Sequence, residues 1–154
     1  MNQKNFMMCG LTGWCMEILF TSLGNMKPGD MRLKGTTSIW MFPIYGMASC
    51  IGELYPKIKR WPTLARGTLY SLGIMTGEFI SGSFLKKLHV CPWDYSDAKH
   101  NIKGIVRLDY FPYWLMAGLA FERLLCKQGT TERNFSKKRL RFAQSSRASG
   151  IAKQ

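Results

Sequence analysis

Four acidic side chains within apolar stretches are the first residues of this chain that could do chemistry. Each stretch holds one glutamate: Glu17 in residues 6–24, Glu53 in 39–55, Glu78 in 64–88 and Glu122 in 110–126. An ionisable group within a membrane span costs about 2.5–3.5 kcal/mol on insertion scales, so it generally has a partner or a role. We therefore predict a polar interior that could bind a cation, relay protons or hold a polar head group.

The position of each glutamate along its stretch separates two kinds of role. Glu17 and Glu78 lie near the middle of their stretches, and we interpret them as the core of a binding site or pathway. The alternative is that they only join helices through hydrogen bonds. Glu53 and Glu122 lie near the ends of their stretches. There, Lys57 could pair with Glu53 one helical turn away, and Glu122 could reach the membrane interface by snorkelling.

A loop between the third and fourth stretches carries the next candidates. It contains the string Trp93-Asp94-Tyr95-Ser96, flanked by His89 and His100. Asp94 could form an Asx-type turn, and the two aromatic residues are typical of the headgroup level of a membrane. We interpret Trp93, Asp94 and Tyr95 as residues that close the outer end of the polar interior, with an interfacial anchor as the alternative.

Several kinds of chemistry are not predicted. The chain has no phosphate-binding loop, no G-x-S-x-G elbow and no H-E-x-x-H zinc motif. Neither histidine stands at a metal-ligand spacing, and the five cysteines form no C-x-x-C pair, so we predict no metal and no cofactor. If nucleotide hydrolysis drives the protein, a separate ATPase subunit must supply it.

The elements that must position these residues are helices. Each apolar stretch is about long enough to cross a bilayer, which predicts an all-α membrane bundle of four transmembrane helices over residues 1–126. The pattern Phe-Pro-x3-Met-Ala-x4-Glu occurs at Phe42–Glu53 and again at Phe111–Glu122. This repetition indicates that the bundle is a two-helix unit duplicated in tandem.

The C-terminal part of the chain has a different composition. Residues 127–154 hold eight Lys or Arg and one acidic residue, or +7 of the net charge of +13. We predict a disordered, basic cytoplasmic tail, either solvated or in contact with anionic lipid rather than nucleic acid. Together with the basic link at residues 57–66, the tail predicts that both termini are cytoplasmic.

Four strings of the sequence carry a family resemblance: Gly13-Trp14-Cys15-Met16-Glu17, Phe42-Pro43-Ile44-Tyr45-Gly46, Glu78-Phe79-x-x-Gly82 and Trp93-Asp94-Tyr95-Ser96 followed by Asn101 and Gly104. With them, residues 6–126 resemble the bacterial ABC-transporter type IV membrane family, and the same pattern is similar to that of the vertebrate transmembrane protein 229 family. The resemblance implies a multi-pass, permease-like membrane protein. Tyr45 lies in the second string and joins the candidate binding residues.

The function that we predict is a permease-like component of the cell membrane that binds or moves a small solute or lipid. Glu17, Glu78 and Asp94 are its leading residues. One chain of four helices leaves little room for a pathway, so we expect a homo-oligomer or another partner subunit. Two alternatives stay open: a membrane-embedded enzyme that modifies a lipid, with Tyr95 or His89 assisting a glutamate pair, and a structural or regulatory membrane partner.

Overall fold

The computed structural model describes the backbone of residues 2–26 and 32–151, and the side chains of these residues as far as Thr131. Five α-helices and one short β-hairpin make up the described fold: α1 (Gln3–Gly24), α2 (Met41–Gly46), α3 (Cys50–Ile58), α4 (Thr63–Lys87), β1 (Asn101–Ile102), β2 (Val106–Arg107) and α5 (Phe111–Ile151). The prediction of an all-α fold is confirmed.

Local sequence signals account for the ends of the long helices. The side chain of Asn2 caps α1 by accepting a hydrogen bond from the backbone N–H of Lys4. Pro62 is the N-cap of α4 and has an extended ψ of 146°. Proline has no backbone N–H to donate within a helix, so it is tolerated at the start of a helix but disfavoured in its interior. Lys86 and Lys87 occupy the last turn of α4, where positive charge complements the helix dipole.

The second apolar stretch differs from the single helix that we predicted. It forms α2 and α3, which are joined by a 3-10 turn over Met47–Ser49. The backbone stays in the right-handed helical region throughout, so the break is a local tightening of the helix rather than a reversal. Pro56 lies inside α3 and removes one backbone donor near its end.

The helices form two hairpins that pack against each other. The first hairpin pairs α1 with α2, and the second pairs α4 with α5. The main contact between the hairpins is made by α3 and the 3-10 turn against α5. The larger hydrophobic core lies along this contact and includes Cys9, Tyr70 and Phe121. A smaller core under the β-hairpin contains Met75, Ile105 and Val106.

Helix α5 continues beyond residue 126, where we predicted the boundary between the bundle and a disordered tail. Its backbone is helical to Ile151, which differs from the disorder expected for residues 127–151. The basic cluster Lys137–Arg141 belongs to the part of the tail whose side chains lie outside the described residues. The division of the chain into bundle and tail stays a prediction.

One helix within the described residues is long and apolar enough to cross a membrane by length and composition. This helix is α1, with 22 residues and a mean hydropathy of 1.4 over its most apolar window, of which only 22% is buried inside the protein. Helix α4 has the length but is more polar, while α2 and α3 are each too short. By this criterion, α1 is a candidate membrane span among the described residues, and the other three transmembrane helices stay a prediction.

Candidate functional site

A cavity of about 590 Å³ lies at the end of the bundle where the two hairpin loops meet. Its walls come from the second half of α1, the α1–α2 loop, α2, α4, the α4–α5 loop and the first half of α5. The volume falls within the range of about 300–1,000 Å³ that is common for small-molecule sites. Five of the eight predicted site residues line this cavity: Glu17, Tyr45, Glu78, Trp93 and Tyr95.

Glu17 lies on the polar side of the cavity. Its carboxylate accepts a hydrogen bond of 3.2 Å from the hydroxyl of Thr37 in the α1–α2 loop. Thr21 holds this loop against α1, because its hydroxyl donates to the carbonyl oxygen of Thr36 and accepts from the backbone N–H of Thr36, both at 2.9 Å. Gly35 permits the close approach, since a Cβ there would meet the carbonyl oxygen of Ile18 at 2.2 Å. The loop thereby forms a polar wall beside Glu17.

Glu78 lies on the opposite, aromatic side and is more deeply buried. Only 8% of its surface is exposed, and its Oε2 atom is buried without a hydrogen-bond partner among the described residues. Trp114 and Tyr95 are the polar side chains that approach it, yet the indole N–H of Trp114 also lacks a partner in acceptable geometry. A buried carboxylate oxygen without a donor is costly, so this part of the site is poised to interact with something else.

Aromatic rings form most of the remaining wall. Tyr110 is the centre of this group and makes edge-to-face contacts with Phe20, Tyr95 and Tyr113, each with ring centroids 5.7 Å apart. Phe20 also contacts Tyr113 at 5.9 Å. Such edge-to-face pairs stabilise one another and keep each ring in a fixed orientation. Tyr45 completes the wall from α2, where it packs directly on Gly13 of α1.

The Trp-Asp-Tyr-Ser loop closes the end of the cavity through a set of specific hydrogen bonds. The indole N–H of Trp93 donates to the carbonyl oxygen of Ile105 at 2.9 Å. The backbone N–H of Tyr95 donates to the carbonyl oxygen of Gly104 at 2.8 Å. Gly104 has a φ of +65°, a conformation that glycine adopts without strain. These bonds turn Trp93 and Tyr95 toward the cavity.

Asp94 does not line the cavity as Trp93 and Tyr95 do. It is exposed, and its Oδ1 accepts hydrogen bonds from the backbone N–H of Ser96 at 3.1 Å and from its hydroxyl at 2.6 Å. These two bonds hold the pKa of Asp94 below its ordinary value of 3.8. The predicted Asx-type turn is therefore present, and Asp94 organises the loop that carries Trp93 and Tyr95.

Glu122 lies outside the cavity and belongs to a buried network at the other end of α4. Its two carboxylate oxygens accept hydrogen bonds from Nε and Nη2 of Arg66, at 2.9 and 3.0 Å. The hydroxyl of Tyr70 donates to the same carboxylate at 2.6 Å. This geometry differs from the snorkelling that we predicted, because the partner is a residue 56 positions earlier in the chain. Glu53 is exposed on α3 and also lies outside the cavity lining.

Several lining residues were absent from the sequence-based prediction. They are mainly aromatic residues of α1 and α5 and hydroxyl residues of the first loop: Phe20, Tyr110, Tyr113, Trp114, Thr36, Thr37 and Ser38. The repeat pattern held one usable signal, since Trp114 is the counterpart of Tyr45 at a spacing of 69 residues. The loop threonines had no such signal because their position depends on how the loop folds back onto α1.

The charged side chains described in the cavity lining are acidic, whereas acidic and basic side chains pair with each other outside it. In the part of the chain that the structure describes, the cavity lining contains Glu17 and Glu78 and no lysine, arginine or histidine. Outside it, Lys86 pairs with Asp94 at 3.5 Å, and Arg107 contacts Asp109 through Nε at 2.9 Å. Arg107 lowers the pKa of Asp109. Within the described residues, no group of three His, Cys, Asp or Glu side chains could hold a metal ion.

Comparison with known proteins gives one family. Residues 4–145 of the chain match the family described as "Putative ABC-transporter type IV". The match covers both hairpins and most of α5, and therefore every residue that lines the cavity. No solved structure matches the chain. The similarity to the vertebrate transmembrane protein 229 family stays a prediction from the sequence.

Proposed function

This chain belongs to the ABC-transporter type IV family, and from that premise we propose that it is a multi-pass, permease-like membrane subunit that binds a small solute between its two hairpins. The family supports a role in transport and a membrane location. The finer parts of the proposal concern the membrane spans, the duplicated architecture, the orientation and the solute site. Each of these parts has its own support in the contacts of the described residues.

The outer surface of the bundle supports several membrane-spanning helices. Large apolar side chains are exposed along α1, where Leu11, Leu19 and Leu23 are 52–63% exposed, and along α4, where Ile80 and Phe84 are 64% and 62% exposed. Soluble proteins rarely expose continuous apolar surfaces of this kind. In a bilayer the same side chains contact lipid, and the polar groups turn toward the interior.

Matching contacts support the tandem duplication of a two-helix unit. In the first hairpin, Gly10 of α1 lies against the carbonyl oxygen of Phe42, which a Cβ would meet at 2.9 Å. In the second hairpin, the hydroxyl of Ser71 donates to the carbonyl oxygen of Phe111 at 2.9 Å. Gly10 and Ser71 are 61 positions apart, and Phe42 and Phe111 are 69 apart. The same spacings relate Glu17 to Glu78 and Tyr45 to Trp114.

A second pair of contacts has the same spacings of 61 and 69 residues, but the large and the small residue have changed places between the two helices. Phe6 of α1 packs on Gly46 of α2, whereas Gly67 of α4 packs under Leu115 of α5. Each contact combines one large and one small residue, and the large residue is on the opposite helix in the second hairpin. Such an exchange keeps the packed volume constant, as expected for two copies that diverged within the same helix pair.

The orientation of the hairpins supports a site that faces one side of the membrane. Both hairpin loops line the cavity, so both hairpins point the same way. Parallel hairpins leave the N-terminus, the basic link before α4 and the end of α5 on the other side. The excess of basic residues there makes that side cytoplasmic. The solute site then opens toward the outside, and a separate ATPase subunit on the cytoplasmic side would supply energy.

The proposal rests on one observation above the others. The carboxylates of Glu17 and Glu78, one from each hairpin, line the same cavity, and one oxygen of the buried Glu78 has no partner among the described residues. Glutamates that only join helices would be expected to bond to each other or to a facing helix. Glu122 does so with both oxygens through Arg66, whereas Glu78 keeps one buried oxygen without a partner among the described residues.

Two experiments test the proposed function. Reporter fusions after Asp97 and after Gln154 should report opposite sides of the membrane, and reporters on one side would refute the topology. Purification in detergent followed by mass spectrometry should detect a bound small molecule in the wild type and in Glu53→Gln, the control for an exposed glutamate. The molecule should be lost from Glu78→Gln. Equal retention by all three proteins would refute the solute site.

A further inference from the structure

Resting on the proposed function, the geometry points to the class of solute: we propose that the cavity binds an organic cation with an alkylated ammonium group, such as the trimethylammonium group of choline. The inference depends on the charge inside the cavity, on the chemistry of its walls and on the state of the neighbouring basic residues. A head group of a lipid and a free solute could both present this chemistry.

The charge inside the cavity favours a cation. Among the described residues, its lining carries two carboxylates and no basic side chain, although the chain as a whole has 22 Lys and Arg. An anionic solute would be repelled by the two carboxylates, and a ligand without a donor or a positive charge would leave the buried oxygen of Glu78 without a partner. Two basic residues of the second hairpin are already engaged, because Lys86 pairs with Asp94 and Arg107 pairs with Asp109. A positively charged ligand supplies the missing counter-charge.

The walls favour an alkylated ammonium group over a metal ion or a primary amine. Seven of the lining side chains are aromatic and three are methionines, and these groups are poor ligands for hard metal cations. Aromatic faces attract alkylated ammonium groups through cation–π interactions. A primary ammonium carries three hydrogen-bond donors that each need an acceptor, whereas an alkylated ammonium group needs none and matches the largely apolar and aromatic lining.

The rigidity of the aromatic wall adds to this preference. Tyr110 is fixed by edge-to-face contacts with Phe20, Tyr95 and Tyr113, so its ring does not have to be ordered when a ligand binds. Arg107 already lies over the ring of Tyr110, with its Cζ 4.6 Å from the centroid. This contact demonstrates that a ring of this cluster accepts a cation on its face.

The test compares two ligands of nearly the same shape on the full-length protein. Choline and its neutral carbon analogue, 3,3-dimethyl-1-butanol, are titrated into the wild type in phosphatidylglycerol nanodiscs, with binding followed by calorimetry. We expect choline to bind at least about tenfold more tightly, because only the cation interacts with both carboxylates and rings. Equal affinities, or no binding of choline, would overturn the inference. This comparison needs no variant and is therefore independent of folding.

Variants then assign the binding to the cavity. Glu17→Gln and Glu78→Gln should each weaken choline binding by about tenfold, while Glu53→Gln on the exposed face of α3 should leave it unchanged. Tyr95→Phe, which keeps the ring, should bind more tightly than Tyr95→Leu. Wild-type affinity in the double variant of Glu17 and Glu78 would place choline elsewhere and overturn the inference.

Two further measurements complete the test. One identifies the source of the cation, and the other separates a failure of this inference from a failure of the proposed function. In phosphatidylcholine nanodiscs, free choline should bind more weakly if the lipid head group occupies the site, and unchanged binding identifies a free solute; both results support the cation class. A co-purified neutral or anionic solute that Glu78→Gln loses would overturn the cation class and leave the proposed function standing. The absence of any bound solute, together with no choline binding, would overturn both.

Discussion

The contact between Phe6 and Gly46 gives the sharpest test of the packing that shapes the bundle. A Cβ on Gly46 would lie 2.6 Å from Cε2 and Cζ of Phe6, against an ordinary contact distance of 3.4–4 Å. Gly46→Leu therefore forces the ring of Phe6 to move or α1 and α2 to separate. Overpacking of this kind costs about 1–3 kcal/mol, and we expect a loss of that size in the free energy of unfolding.

The second hairpin suggests how the loss can be repaired. There, Gly67 stands in the place of Phe6 and Leu115 stands in the place of Gly46. The double variant Phe6→Ala with Gly46→Leu reproduces that arrangement of a small and a large residue, so it should be more stable than Gly46→Leu alone. The two substitutions should couple by about 0.5–3 kcal/mol, the range for residues in direct contact.

The measurement is a double-mutant cycle in mixed micelles, with unfolding driven by increasing SDS and followed by tryptophan fluorescence. The control is the pair Phe6→Ala with Gly73→Leu, because a Cβ on Gly73 meets nothing within 4 Å and the two sites should not couple. Additive effects of Phe6→Ala and Gly46→Leu, within about 0.3–0.5 kcal/mol, would show that Phe6 does not lie on Gly46. They would also remove the exchanged pair as support for the duplication.

Three further predictions concern the helix contacts and the loop. Gly13→Ala should destabilise the protein because a Cβ there meets an aromatic ring at 2.2 Å, whereas Gly73→Ala should stabilise it by about 0.5–1 kcal/mol in SDS unfolding. Gly104→Ala should speed hydrogen exchange of the loop backbone, because its φ is +65° and its Cβ would meet the hydroxyl of Ser96 at 2.3 Å; unchanged exchange would contradict the loop geometry. The low pKa of Asp94 contributes stability above the ordinary value of 3.8 and loses it as pH falls through the lower value. The protection factors of the loop amides, which correct for the pH dependence of intrinsic exchange, should therefore be constant from about pH 5 to 8 and fall only in acid.

The buried network of Arg66, Tyr70 and Glu122 illustrates what a sequence pattern cannot resolve. Glu122 has the same position in its repeat as Glu53, yet Glu122 is buried and bonded, whereas Glu53 is exposed. The difference arises because α5 packs on α4 at this depth, which brings Arg66 within 2.9 Å. The sequence predicted that Glu122 snorkels to the membrane interface, but it bonds instead to a residue 56 positions away in the chain.

The sequence by itself determined the kind of fold and the family. Apolar stretches of near-membrane length predict helices because a long helix satisfies its own backbone hydrogen bonds, and such a signal is local. The Phe-Pro-x3-Met-Ala-x4-Glu spacing was equally readable, since a repeat is a property of the chain. The break of the second stretch into α2 and α3 had no clear local signal, because proline is tolerated near the start of a helix.

Only the tertiary structure decided that Glu17 and Glu78 line one cavity. The sequence singled them out by their positions near the middle of their stretches, but they meet because both hairpin loops lie at the same end of the bundle. The aromatic wall likewise combines α1, α2, α5 and the second loop, whose residues are far apart in the chain. Its chemistry, two carboxylates among rings with no basic residue in the described lining, exists only where those elements meet, since cavities form from long-range packing rather than from local sequence.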